Sequence, residues 1–336
     1  MLYLKEPTKL VLDEYFNKIE KKVLENINSP KKNSFLNIEA KEFLKVNLSK
    51  IIQTRPEELK GLNEDFFKKL NKYPLTYNNY LSFLRIKNKK EADRSQLEKL
   101  KLSIYFRYFK KIDQIFDYDS ILSKSQSKSY WLSKKMGVNT CVYCNRLYAN
   151  VIEVDGGTNN DKRIARPFFD HWYPKSKYPI LSLSFYNLIP SCFVCNSSIK
   201  GSLEFNLETH LHPYDKKNDT NFKFSYNYNS DGDPKVIIRD FKTLNDKTIK
   251  TIEAFKIKEV YDSHSHLELK DLIDLANKYP GKYLKTLFND TFKDLKMSDK
   301  EIYRMIFGIE IKEEDYHKRP FSKFKHDIIE ELRQIK

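Results

Sequence analysis

The 336-residue chain carries 61 lysines and arginines against 46 aspartates and glutamates, a net charge of +15 with a pI near 9.3. That balance suits a polyanionic partner, although a general abundance of Lys, Asn, Ile, Phe and Tyr accounts for much of it without any nucleic acid. Apolar residues at 40% and aromatics at 14% exclude general disorder, no run approaches the roughly 18 apolar residues of a membrane helix, and the opening MLYLKEPTKLVLDEYF lacks a signal peptide's apolar stretch. The reading is a soluble, cytoplasmic protein of two or three domains, with no membrane partner.

Residues 1–135 read as a helical domain. Leu10, Leu12, Tyr15, Phe16 and Ile19 fall at helical spacing, continued by Val23 and Ile27. Asn28-Ser29-Pro30 breaks the pattern. A second helix is expected around Glu39–Ile52, and a third from Pro56, where Pro-Glu-Glu suits a first turn. A long amphipathic helix is expected over about Glu91–Phe116, with Leu97, Leu100, Ile104, Tyr105 and Phe109 on its apolar side. Ser123–Lys135 reads as a surface segment leading into the next domain, open to phosphates.

Residues 136–214 change period. Leu147–Val154 reads as a strand, Asp155-Gly156-Gly157 as a turn and Arg163–His171 as a returning strand. Asn187 sits at a turn into a short strand, and Ser191–Gly201 reads as a short helix stopped by Gly201. Residues 215–336 open on a second hairpin, Phe222–Tyr228 and Val236–Ile238 around Asp231-Gly232-Asp233-Pro234, and are helical from Thr243. The fold class is α+β.

The chain has four cysteines, and they form two Cys-x-x-Cys pairs, Cys141/Cys144 and Cys192/Cys195. Four cysteines in so long a chain are no disulfide framework, and the pairing favours metal. The stretch 145–191 exceeds the usual ribbon spacing, but an inserted hairpin absorbs it, since ligands need only converge in space. Four thiolates would close a Zn²⁺ site to substrate, which assigns it to structure rather than catalysis. No βαβ pattern surrounds either pair, which disfavours a thioredoxin-like role.

Between the pairs lie Asp170-His171, at the end of an expected strand, and Asn187; Asn196 follows Cys195 directly. Strand alternation points Asp170 and His171 to opposite faces. Lys200, four residues after Asn196, shares its helical face. Arg166, Lys175, Lys177 and Lys200 are candidate phosphate contacts, each with a solvated surface charge as the plain alternative.

The order CVYC, FFDHWYPKS, YNLIPSCFVCNSSIKG resembles the HNH endonucleases, the ββα-metal nucleases that carry a four-cysteine zinc site. The resemblance covers Cys141–Gly201. It implies a ββα core in which His171 is the general base, Asn187 the central asparagine that holds the imidazole, and Asp170 and Asn196 the ligands of one catalytic Mg²⁺ or Mn²⁺. An amide oxygen at the last position is a weaker ligand for soft metals than the imidazole the family also uses there. The implied reaction is hydrolysis of DNA phosphodiesters, with RNA not excluded.

Two further readings stand beside this one. One is a zinc-stabilised module that holds nucleic acid without cutting it, and has no need of Asp170, His171 and Asn196 together. The other is a nuclease subunit active only inside a larger complex. Bacterial anti-phage systems pair such nucleases with an ATPase, and the helical flanks are similar to that arrangement. Downstream, Asn206, His210 and His212 follow the motif; His212 is a weak candidate to close over the metal, with a structural turn before Pro213 as the default. His264 and His266, two residues apart, do not share a helix face. His317 and His326 read as surface residues.

Overall fold

Thr8 opens the first helix by accepting the Val11 N–H on its hydroxyl, and the helix runs Lys9–Asn28. Its buried stripe, Tyr15, Ile19, Val23 and Ile27, repeats every four residues as expected, whereas Leu10 is exposed. The computed structural model describes residues 1–70, 74–109, 111–154, 163–201, 203–215, 222–278 and 298–334, with 286 and 290 singly. Among these the architecture is α+β: helices on both flanks and three two-stranded antiparallel sheets.

The N-terminal helices depart from expectation in their joints. The single helix expected over 39–52 is two, Ile38–Val46 and Leu48–Gln53, meeting at Asn47, whose side chain donates to the Phe43 carbonyl and competes with helix continuation. Pro56–Leu70 begins where Pro56 predicts. A helix at Tyr77–Asn88, capped by Thr76, was not anticipated. The long helix expected over 91–116 is the shorter Gln96–Phe109; Tyr105 and Phe109 are buried, but Leu97, Leu100 and Ile104 face solvent. Ser123–Lys135 is not a surface segment: Gln126–Met136 is a helix that buries Tyr130 and Leu132 and stops at Gly137, φ 63°.

The central segment also corrects the expected strand pairing. Leu147–Val154 contributes only β1, Ile152–Glu153, which pairs with β2, Arg163–Ala165. The expected turn at Asp155-Gly156-Gly157 lies outside the described residues. Arg163–His171 is not one strand. Pro167, which has no N–H to give a ladder, separates β2 from β3, Phe168–His171. β3 pairs instead with β4, Leu188–Ser191, in the register Asp170↔Ile189 and His171↔Leu188. A wide-turned helix, Val194–Lys200, follows, and Gly201 (φ 48°) ends it with its N–H on the Asn196 carbonyl. Strand, strand and helix therefore succeed one another around the motif.

Phe224–Tyr228 and Pro234–Ile238 form the second hairpin, β5 and β6. Asn229 Oδ1 accepts the N–H groups of Asp231 and Asp233 in its turn, and Gly232 supplies φ 81°. Helices Asp246–Ala254, Ile257–Asp262, Lys270–Lys278, Asp299–Phe307 and Ser322–Gln334 follow.

The core does not stop at the boundaries expected near 135 and 214. Buried Ile19 and Phe66, Trp172 and Ile189, and Tyr261 and Phe324 belong to one connected apolar cluster. The first residues cross the molecule: Leu2 N–H donates to Val142 O at 2.7 Å and Leu4 N–H to Pro213 O at 2.8 Å. No described helix is long and apolar enough to cross a membrane.

Candidate active site and metal centre

Each cysteine pair closes a tight knuckle. In the first, Cys141 N–H donates to Leu147 O at 2.9 Å, and Asn145 N–H returns to Cys141 O at 2.8 Å. Asn145 takes φ 50°, a left-handed conformation asparagine tolerates better than most residues, and Arg146 N–H then points at Cys144 Sγ, 3.4 Å away. In the second, Cys195 N–H points at Cys192 Sγ at 3.4 Å. N–H groups aimed at sulfur suit thiolates.

The four sulfurs are buried and all lie within 4.8 Å of one another. A tetrahedron with Zn–S of about 2.3 Å has S···S edges of about 3.8 Å, so the cage is of the right size. Hydrogen bonds with Cys141 lower the Cys144 and Cys192 thiols and raise that of Cys195, while burial raises Cys141 itself. The sulfurs thus divide protons among themselves, and all four can ionise together only around a cation. Four buried cysteines this close can hold a structural metal such as zinc, and leave no coordination position for substrate.

The cage is gripped from the C-terminal side. Asn145 Nδ2 donates to Tyr316 O at 2.9 Å and Arg319 O at 3.1 Å, and Asn145 O accepts Phe321 N–H at 2.7 Å. Tyr261 OH donates to Cys144 O at 2.5 Å.

Tyr143, between the first two cysteines, links the cage to the motif strand. Its hydroxyl donates to Asp170 Oδ2 at 2.5 Å. Lys200 Nζ lies 3.2 Å from Oδ1 and 3.1 Å from Oδ2 of the same carboxylate, and donates to the His171 carbonyl at 2.7 Å. Asp170 and Lys200 are both almost fully buried. Burial raises the Asp170 carboxyl and lowers the Lys200 ammonium, each opposed by the partner's charge. Lys200 is therefore not a surface phosphate contact. Its ammonium occupies the carboxylate expected to bind the catalytic ion.

His171 faces the other way, as strand alternation expects. Its ring meets Tyr118 edge-on, with centroids 4.5 Å apart, and Nε2 lies 2.9 Å from the Ser182 carbonyl. A carbonyl only accepts, so Nε2 carries the proton and Nδ1 the lone pair. Desolvation pushes the imidazole pKa down to about 3, so the ring is neutral and basic at ordinary pH.

Asn187 does not hold the imidazole directly. Its Oδ1 accepts Tyr173 N–H at 2.7 Å, and its Nδ2 donates to Tyr173 O at 3.1 Å and Leu181 O at 2.9 Å. It cross-ties the loop 172–187, which in turn presents the Ser182 carbonyl to His171. Asn196 is partly exposed on the helix, its amide 3.4 Å from Ser197 Oγ.

The other candidate phosphate contacts all have partners. Arg166 donates to Ser123 O and Pro167 O and lies over the Phe169 ring. Lys175 pairs with Asp119 at 3.1 Å, and Lys177 with Glu204. His212 is fully buried against Trp172, with Nδ1 accepting Tyr214 N–H, which is the structural turn rather than a metal ligand. His210 stacks on Phe205, and His264 Nε2 lies 3.0 Å from Arg146 Nη1. His317 and His326 are partly buried, and the His317 carbonyl accepts Thr140 Oγ1.

Sequence reasoning missed Tyr143, Ser182 and Tyr118. Tyr143 alone had a signal, since a large polar ring inside a Cys-x-x-Cys pair must send its hydroxyl somewhere. No protein-family model, curated protein or solved structure matches the chain.

Proposed function

We propose that this protein is an HNH-type endonuclease that hydrolyses phosphodiester bonds of DNA, with His171 as its general base. The observation that carries the reading is the imidazole at the end of β3. It is neutral, fixed through Nε2–H on Ser182 O, and left with a free Nδ1 lone pair, inside a strand–strand–helix element braced by the four-cysteine cage. Nδ1 takes a proton from a water that attacks phosphorus, and the 3′-oxygen leaves. Asn187 and Ser182 set the ring's orientation, and Tyr118 limits its rotation.

The resemblance also brings in one Mg²⁺ or Mn²⁺ on Asp170 and Asn196, which would stabilise the leaving oxygen as a Lewis acid. These residues do not form a ready ion site as they stand, because Lys200 and Tyr143 already hold both Asp170 oxygens. Ion binding there requires Lys200 to withdraw. That same contact favours a second reading, in which the nuclease is active only within a larger complex, with a protein partner such as an ATPase, in an anti-phage setting.

Plasmid cleavage with Mg²⁺ or Mn²⁺, wild type against His171→Ala, tests the proposal. Cutting is expected to fall by about 10²- to 10⁴-fold, the usual contribution of a general base. Undiminished cutting by the variant overturns it. Divalent-independent binding of DNA with no cleavage of any substrate would support the non-catalytic module instead.

A further inference from the structure

A cavity of about 200 Å³ adjoins the His171 imidazole, enclosed between the helix pair Tyr77–Asn88 and Gln96–Phe109, the segment 112–119 and the motif loop. Two of its lining residues are the imidazole's own neighbours. Tyr118 packs edge-on against the ring, and Ser182 supplies the carbonyl that fixes Nε2.

We propose that this cavity is a base-binding subsite, taking one unstacked nucleobase of the strand being cut, guanine first; the inference rests on the phosphodiesterase reading of His171. Size is the first argument. Pockets for whole drug-sized ligands span roughly 300–1,000 Å³, so this one suits a single ring system whose remainder lies outside, as in a polymer. Lining is the second. Phe83, Phe109, Phe116 and Tyr118 supply aromatic surface, the sequence-tolerant partner of a splayed-out base.

The polar rim is the third argument. Asp113 and Asp117 line the cavity, with Lys87 and Lys175 on the same wall. Carboxylates repel a phosphate but accept N–H donors, and guanine alone offers two adjacent donors, N1–H and the exocyclic amine, to match the two oxygens of one carboxylate. Lys175, which also lies over the Tyr118 ring at 5.2 Å, is placed for the phosphate that follows.

The cavity wall is tied to the catalytic loop. Tyr80 OH donates to Ser176 O at 2.6 Å, and Ser182 Oγ donates to Phe116 O. A base seated there would therefore set the strand's position relative to Nδ1. This gives the N-terminal helices a part in substrate binding, and implies that the substrate is single-stranded or locally opened at the cut.

The test uses the full chain carrying His171→Ala, in EDTA, and fluorescence anisotropy with dye-labelled abasic sugar–phosphate strands bearing one guanine, one thymine or no base. The guanine strand is expected to bind about 5- to 150-fold more tightly than the fully abasic one, the range that base–aromatic stacking supplies. Leu84→Trp, which fills the cavity from its lining, should abolish that difference and leave the salt-dependent binding of the bare strand. Asp113→Asn should erase the preference for guanine over thymine while the preference over the abasic strand stays, which keeps the test decisive if the tryptophan variant fails to fold. Equal binding of base-bearing and abasic strands, or a guanine preference that survives in folded Leu84→Trp and in Asp113→Asn, overturns the proposal. A protein that passes these tests but never cuts DNA would remove the nuclease reading instead.

Discussion

The two flanks of the motif hold different things. The C-terminal flank grips the first cysteine knuckle, through Asn145 on Tyr316, Arg319 and Phe321 and through Tyr261 on Cys144. The N-terminal flank grips the loop that orients His171. Tyr80 bonds Ser176, Tyr15 bonds Leu183 O at 2.9 Å, and Ser182 and Ser184 reach back to Phe116 O and Ile51 O. One flank thus braces the cage and the other the imidazole. The lesson is that scaffold and chemistry, adjacent in sequence, are separable in support, so substitutions on the two sides should fail in different ways.

Cys192→Ser should have the largest effect. Structural Zn²⁺ binding amounts to about 10–16 kcal/mol in small zinc domains, and losing one of four thiolates removes much of it. The expected result is a protein without stoichiometric zinc by metal analysis and without cooperative thermal unfolding by circular dichroism. A variant that unfolds like wild type would show that the apolar core alone suffices, and the cage would lose its scaffold role.

His171→Ala should be the opposite case, with zinc and melting retained and cutting abolished. Its ring touches Tyr118 and the Ser182 carbonyl, not the cage. If this variant lost zinc, the division between the two flanks would be wrong.

Asp170 and Lys200 lie where the two supports meet. Lys200→Met leaves a buried carboxylate with only Tyr143, and breaking a buried pair by removing one partner typically costs about 3–5 kcal/mol. Urea unfolding of Lys200→Met should show a loss of that size, and Asp170→Asn added to it should recover part. A loss under 1 kcal/mol would mean that water reaches the carboxylate. Tighter Mn²⁺ binding by the same variant would show that the ammonium and the ion compete for Asp170.

How much of this was legible in the sequence follows from range. The cysteine pairs, the Asp-His dipeptide and the Gly201 stop are local signals, and they located the cage, β3 and the motif helix. The β3–β4 pairing was less visible, because Arg163–His171 reads as one strand until Pro167 is given its due. Roles that depend on distant partners were not legible at all. Lys200 looked like a surface cation because nothing near it in sequence shows that Asp170 is buried beside it. Arg166 likewise found Ser123, far back in the chain. Leu97 and Leu100 show the reverse failure: an apolar stripe states that a face wants cover, not that cover exists.

The imidazole's surroundings set an expectation for pH. With its pKa pushed down to about 3, against about 6.5 for an unperturbed histidine, His171 stays neutral in the folded state where the unfolded chain's histidine binds a proton. Its contribution to stability is therefore complete above about pH 6.5 and is lost as pH falls from there toward 3; buried His212 acts in the same direction. The cleavage rate should show no acid limb near 6.5 and decline only at lower pH. A rate profile that bends at 6.5 would mean that the ring is solvated in the working enzyme.

The smallest expected effect is the sharpest test of the comparison. Tyr80→Phe removes one hydroxyl, 2.6 Å from the Ser176 carbonyl, and leaves the aromatic packing against Phe67 and Phe109 in place. The loss of one hydrogen bond costs about 1 kcal/mol, and the substitution lies on the flank that holds the catalytic loop. Cutting should fall by no more than about tenfold, since 1.4 kcal/mol is a factor of ten in rate, and zinc content should not change. If zinc occupancy falls while cutting per zinc-loaded protein stays constant, the N-terminal helices brace the cage after all. If cutting falls while zinc holds, Ser176 and Ser182 are confirmed as parts of one support, whose work is the orientation of Nδ1.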